Sequence, residues 1–265
     1  MFGKKTEVLY FFSLISGMII LIFILGPIIN TFNWIQKDLM IEALHDKKVM
    51  QSILLSMKCA TYSTLLAFVL GVSFAYYIER HEFYGKQFLE SIIDIPIVMP
   101  HTVVGIALLT VLSPRSALGK FMVEHHIDIL GTEIAIVMAM LFVSLPLMFN
   151  SAKEAFKWIP IRMENVSRSL GASHFKTFFT ITFRLAWRDL LSGMIITWAR
   201  SISEFGAVII LAYHPMIAPT LIYERFSTYG LIYAIPVTII LMTIAMVLFV
   251  ALRLVASNNR KRVKL

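Results

Sequence analysis

Arg200 and Glu204 carry the charges in this chain that are hardest to accommodate. They stand four residues apart in the apolar stretch Trp198-Ala-Arg-Ser-Ile-Ser-Glu-Phe-Gly-Ala207, so on a helix they share a face and can neutralise one another. Counted from a helix start near Leu190 at 1.5 Å per residue, Arg200 lies about 15 Å in, close to the middle of a bilayer. Such a pair is either a structural ion pair or part of the wall or gate of a solute path, with Ser201 and Ser203 adding hydroxyls beside it. A second polar interruption, Asp94-Ile-Pro96-Ile-Val-Met-Pro100-His101-Thr102-Val-Val-Gly105, sets two prolines four residues apart. Each proline removes a backbone donor and frees a carbonyl. Irregular backbone at membrane depth survives only where it is buried in protein or lines a wet cavity. The segment is therefore a kink packed against its neighbours or a pore wall, and His101 and Thr102 lie beside the break, where a polar solute would pass.

Other chemistries find no support. Glu124-His125-His126-Ile-Asp128 brings imidazole and carboxylate together, but adjacent histidines do not share a helix face, and no metal is expected there. The phosphate-cradling Gly-x-x-x-x-Gly-Lys-Ser/Thr loop is missing; Gly171-Ala-Ser-His-Phe-Lys176-Thr177 lacks the second glycine and a preceding strand. There is no His-Glu-x-x-His, no Gly-x-Ser-x-Gly and no carboxylate cluster within the apolar runs. No catalytic residue and no cofactor is expected. Cys59, the only cysteine, rules out an intrachain disulfide and reads as a small apolar filler.

The elements that must position these residues are membrane spans. The chain is 58% hydrophobic and 15% charged over 265 residues, with a mean hydropathy of +0.78, which marks an integral membrane protein. Six apolar runs approach the length that crosses roughly 30 Å of hydrocarbon. They are Val8 to Ile29, Ile53 to Ile78, Phe88 to Leu112, Ile134 to Phe149 with a few residues more at each end, Leu190 to Leu211, and Leu231 to Val255. The first is too long for a signal-peptide core and is followed by Gly26-Pro27 rather than a cleavage site. One transmembrane domain, 1–265, accounts for the whole chain, with Met40 to His45 a short surface helix between the first two spans.

The net charge of +8 follows the loops. With the N-terminus inside, the cytoplasmic segments hold Lys4 and Lys5, Arg80 and Lys86, seven basic residues from Lys153 to Arg188, and Arg253 with the tail Arg260 to Lys264. The opposite loops hold Lys37, Lys47, Lys48, Arg115, Lys120 and Arg225. This positive-inside bias places both termini in the cytoplasm of a cell-membrane protein, and leaves the basic charge no need of a nucleic-acid partner.

The largest cytoplasmic connection, 151–189, has helical periodicity on both sides of a break. Phe156, Ile159, Met163, Val166 and Leu170 recur at three or four residues, then Phe175, Phe178, Phe179 and Thr182 do so again. Between them, Leu170-Gly171-Ala172-Ser173 supplies a helix-terminating glycine and a serine that caps the next helix. The spacing predicts two short amphipathic helices hinged at Gly171, which either dock a soluble partner or lie on anionic lipid.

Here the sequence resembles a known family. Glu164-Asn-Val-Ser-Arg-Ser-Leu-Gly171-Ala-Ser173 followed by Ile181 looks like the cytoplasmic loop motif of permease subunits in binding-protein-dependent ABC importers. That pattern is Glu-Ala-Ala, three residues, Gly, nine residues, Ile, one residue, Leu-Pro. Gly171 and Ile181 keep the spacing, whereas Asn165, Val166 and Ser167 replace Glu-Ala-Ala and Phe183-Arg184 replace Leu-Pro. The resemblance makes Glu164, Ser169, Leu170, Gly171, Ala172, Ser173 and Phe175 part of a coupling helix seated in a cleft of an ATP-hydrolysing subunit. It implies an all-α permease fold of six transmembrane helices, with the coupling loop between the fourth and fifth.

The stretch from Ser203 to Glu224, together with Asp94 to Gly105, is similar to the permeases of molybdate or tungstate importers, particularly the archaeal type. That similarity implies a homodimer working with an ATP-binding cassette subunit and an extracytoplasmic oxyanion-binding protein, moving the anion by alternating access. Pro96, Pro100, His101, Thr102, Arg200, Ser203 and Glu204 would then line or gate the path. Permeases for sulfate or phosphate share the plan. A stand-alone secondary transporter or membrane enzyme is the reading from a different class, and the sequence shows neither the internal two-fold symmetry common in such transporters nor an energy-coupling motif of its own.

Overall fold

A backbone in hydrocarbon must pair every N–H and C=O within its own segment, so long apolar runs become helices. The computed structural model, which describes residues 3–258, is helical in every regular element among the described residues. The chain runs through α1 (Gly3–Asn33), α2 (Lys37–His45), α3 (Lys47–Arg80), α4 (Lys86–Val98), α5 (His101–Leu112), α6 (Ala117–Glu124) and α7 (Glu133–Lys157). It continues through α8 (Ile161–Ser169), α9 (His174–Thr177), a π-helical turn (Phe178–Thr182), α10 (Phe183–Ile202), α11 (Val208–Leu211), α12 (Ala218–Tyr229) and α13 (Leu231–Asn258). The basic tail from Arg260 to Lys264 lies outside the described residues.

Among the described residues α1, α3, α7 and α13 are each long and apolar enough to cross a membrane, and α4 with α5 makes a fifth such span if the bent pair is one crossing. Those two helices meet at 113°. Pro96 stays within α4, whereas Pro100 occupies the N-cap of α5, so the second proline makes the break: it has no N–H to continue the first helix. The run expected as a fifth span, Leu190 to Leu211, departs from a single helix at both ends. Its helix begins at His174 and passes through the π turn into α10, because Arg184, Arg188 and Asp189 lower the hydropathy without interrupting the hydrogen bonding. It ends at Ile202, unwinds over 203–207, and resumes for only the four residues of α11.

Three helices, α3, α7 and α10, form the packed centre, and small residues let their backbones approach. Ala60, Ala67 and Ala75 of α3, Ala139 and Ala152 of α7, and Ala186 of α10 are buried. A Cβ on Gly193 would lie 2.6 Å from the Ser151 Cβ, so α10 and α7 meet where only hydrogen fits. Ser63, Ser144 and Ser201, one from each helix, are all buried, with Ser63 Oγ 3.4 Å from Ser144 and 3.2 Å from Ser201. Cys59 is fully buried in the same core. By contrast, no residue in the apolar span of α1 is buried.

Candidate functional site

Two polar regions lie at opposite ends of α10, which at 20 residues is about 30 Å long. At one end, unwinding after Ile202 leaves backbone groups that side chains must satisfy. The Glu204 carboxylate accepts the Ala207 N–H at 3.0 Å through Oε1, and Ser203 Oγ donates to the Arg200 carbonyl at 2.9 Å. Glu204 Oε2 also accepts from Arg200 Nη2 at 3.0 Å. The expected pair is thus made, but across a helix end rather than along a continuous helix. Glu204 is 1% exposed at its side chain and Arg200 24%.

His101, far away in sequence, completes the cluster. Both ring nitrogens lie against Arg200 Nη2, Nδ1 at 3.1 Å and Nε2 at 3.2 Å, and Nδ1 is also 3.4 Å from Glu204 Oε2. Because guanidinium only donates, the ring nitrogen that carries no proton is the one that accepts from Arg200. The contact depends on two glycines: a Cβ on Gly105 would sit 3.0 Å from the Ala207 Cα, and one on Gly206 would collide with His101. The break before α5 and the break after α10 therefore face each other. Thr102 is exposed beside them, as is Pro100, while Pro96 lies a turn away within α4.

At the other end of α10, Pro160 stops the chain after α7 and occupies the N-cap of α8. The apolar stripe read along the sequence divides at this proline. Phe156 and Ile159 are buried against α3 and α10, whereas Met163, Val166 and Leu170 are exposed. Helix α8 closes with Gly171 N–H bonded to the Arg168 carbonyl at 2.9 Å and Ala172 N–H to the Ser167 carbonyl at 3.2 Å, the Schellman pattern, with Gly171 left-handed at φ +88°. Ser169 Oγ donates to the Asn165 carbonyl at 3.0 Å, and Ser173 Oγ accepts the Lys176 N–H at 3.2 Å as the cap of α9. Hinge and cap thus stand where the sequence put them. The second helix is not separate, however, because α9 leads through the π turn into α10. With α7 reaching Lys157, the connection expected over 151–189 shortens at both ends to 158–173.

Leu170 at 84% and Phe175 at 75% exposure face outward around the hinge, with Trp158 at 77%. Glu164 points the other way and is buried. Burial works to raise the Glu164 carboxyl, but hydrogen bonds from Thr182 and Arg80 and the Arg80 charge outweigh it and hold the group below the usual carboxylate range.

Sequence reasoning missed Tyr76, Arg80 and Thr182, which meet Glu164. It also missed two ties between α4 and α7: Lys153 Nζ to Glu90 Oε2 at 3.0 Å and Asn150 Nδ2 to Asp94 Oδ1 at 2.6 Å. The signal was available, since Glu90 and Asp94 stand four apart and Asn150 and Lys153 three apart, matched polar pairs on two otherwise apolar helices. Among the described residues no group of three or more His, Cys, Asp or Glu could hold a metal ion.

A family model described as the inner membrane component of binding-protein-dependent transport systems matches residues 67–261. The chain is 38% identical over 253 residues to the molybdate/tungstate transport system permease protein WtpB of Pyrococcus abyssi, covering 95% of this chain and 96% of that one. It is 42% identical over 219 residues to the protein of the same name from Pyrococcus furiosus, covering 83% of each. Among solved structures, a chain of a bacterial ABC transporter that imports the acidic polysaccharide alginate superposes with a TM-score of 0.77 at 18% identity, covering 98% of both chains. A chain of the MetNI methionine ABC transporter in an inward-facing form gives a TM-score of 0.62 at 12% identity, covering 82% of this chain and 96% of that one. At these identities the structural likeness carries the fold alone.

Proposed function

The chain belongs to the family of inner membrane components of binding-protein-dependent transport systems, and on that premise we propose that it is the permease subunit of an ATP-driven importer of molybdate or tungstate. Two copies form the path and a separate ATP-binding cassette subunit hydrolyses ATP at the cytoplasmic face. A binding protein outside the membrane delivers the anion, which is moved and not chemically changed. Both termini and the loop 158–173 face the cytoplasm.

The observation that carries this reading is the loop itself. Leu170, Phe175 and Trp158 are large apolar side chains held outward around a fixed turn, while the same segment turns Glu164 inward. An apolar patch held on a well-defined turn around Gly171 suits a soluble partner's cleft. The anion is supported by similarity to the two Pyrococcus permeases over most of their length.

The cluster of Arg200, Glu204 and His101 supports a gate rather than a fixed anion site. A dianion is drawn to Arg200, but Glu204 beside it cancels most of that field and repels the anion. Conduction also needs sites weak enough to leave. The two breaks that meet at this cluster can part as binding energy at either end shifts the balance between inward and outward states.

Proteoliposomes holding this permease, its ATPase and a loaded binding protein should accumulate molybdate or tungstate only with ATP on the cytoplasmic side. Uptake driven by a proton or sodium gradient without ATP would return the chain to the stand-alone class.

A further inference from the structure

Helix α8 is attached to the rest of the protein through a carboxylate. Glu164 is its only buried residue, while Ile161, Met163 and Val166 on the same helix are exposed. Apolar packing is non-directional and lets surfaces slide; a buried ion is tolerated only when its partners stand at defined positions around it. Thr182 Oγ1 donates to Glu164 Oε1 at 2.7 Å, Arg80 Nε to the same oxygen at 2.8 Å, and Tyr76 OH to Oε2 at 3.1 Å.

Arg80 is almost as buried as its partner, with 8% side-chain exposure. Its Nη1 donates to the Phe156 carbonyl and its Nη2 to the Ile159 carbonyl, each at 3.3 Å. One carboxylate therefore gathers the end of α3, the end of α7 and the π turn that leads into α10. Few other contacts tie α8 down. It is flanked by Pro160 on one side and by left-handed Gly171 on the other, and its second tie is one hydroxyl contact, Ser167 to Thr177 at 3.1 Å.

We propose that Glu164 is the positioning residue of energy coupling: with Arg80, Tyr76 and Thr182 it locks α8 to α3, α7 and α10, so that a displacement of α8 is passed to all three helices together. Without the lock α8 shifts against α3 and the π turn and absorbs the displacement. Coupling between distant sites is carried by packed side chains, hydrogen-bond networks and rigid elements, and this junction makes α8 part of one. The proposal rests on reading residues 158–173 as the ATPase docking loop.

The test uses the assembled complex in proteoliposomes with molybdate-loaded binding protein outside. Two quantities are measured: ATP hydrolysed per molybdate taken up, and ATPase retained per permease after purification. Glu164→Gln keeps the shape and an acceptor for Thr182 but loses the charge facing Arg80. Thr182→Val removes one donor and leaves the ion pair in place. Thr182→Val should retain the ATPase at the wild-type ratio, and hydrolysis in each variant is counted per ATPase retained. ATP used per molybdate should rise about tenfold in Glu164→Gln, within the ordinary range of coupling between linked sites, and by less in Thr182→Val. If Glu164→Gln does not assemble, the Thr182→Val ratio decides alone. An unchanged ratio, with uptake and hydrolysis either normal or falling together, reduces Glu164 to a structural support and overturns the proposal. A wild-type complex that takes up no molybdate with ATP overturns the transport reading instead, before any variant is compared.

Discussion

A Cβ placed on Gly206 would stand 2.6 Å from the Cβ of His101, so the loop after α10 and the first residue of α5 touch with no room for a methyl group. The obstacle is a Cβ fixed to a helix end, which cannot rotate away. Gly206→Ala should therefore separate the two breaks at a cost of roughly 1 to 3 kcal/mol. A lowered melting temperature of the purified complex, with loss of ATP-driven uptake, is the expected result. Wild-type values for both would mean that the breaks have slack.

Arg200 and Glu204 should show unequal single effects. Arg200→Met strands a carboxylate that is 1% exposed, at a cost of roughly 3 to 5 kcal/mol for a broken buried pair. Glu204→Gln leaves a guanidinium that is 24% exposed and keeps some hydration, so its cost is smaller. The double change should recover part of the Arg200→Met loss. A double-mutant cycle on assembly and uptake checks this, and strictly additive losses would make Arg200 the better candidate for contacting the anion.

Gly171→Val should weaken docking while the spans stay folded. A Cβ there meets nothing within 4 Å, so the whole cost is the left-handed backbone at φ +88°, about 1 to 2 kcal/mol. Asparagine tolerates that conformation, and Gly171→Asn should be nearly silent. Copurification of the ATPase with each variant reads the difference; equal retention in Val and Asn would show that the turn does not direct the second helix.

The tie at Glu164 should survive mild acid. A carboxyl held below its ordinary 4.5 contributes stability that is fully present above that value and is lost as pH falls through the lower folded value. A spin label at Ser169→Cys, with Cys59→Ala to remove the only native thiol, should stay immobile from about pH 7 to pH 5 and sharpen only in stronger acid. The same label in Glu164→Gln should be mobile throughout. Sharpening between pH 7 and 5 in the wild-type background would mean that the pairing with Arg80 is weak.

What the sequence made legible was local. Pro100 announced the break before α5, Gly171 and Ser173 announced hinge and cap, and the spacing of Arg200 and Glu204 announced their contact. What it hid was pairing at long range. His101 meets residues about a hundred positions away, and Glu164, exposed-looking in a polar segment, finds its partners on α3 and in the π turn. The start of α10 was misplaced because hydropathy registers composition, while a helix is continued by hydrogen bonds that Arg184 and Arg188 do not disturb. The unwinding after Ile202 carried only a weak mark, Gly206, because the groups that stabilise it are side chains folding back on their own backbone.

The π turn at Phe178–Thr182 fixes a phase. Such a turn holds about one residue more than an α-helical turn, and each α-helical residue is worth about 100° of rotation. The face shown by His174–Thr177 is thereby set around the axis independently of the face that α10 turns toward α3 and α7. Deleting one residue from this turn would leave a straight helix of the same composition, yet swing Phe175 about a quarter-turn away from its present heading. Compass direction at this end of the protein is therefore encoded by residue count, a quantity that substitution leaves untouched and a single-codon deletion resets.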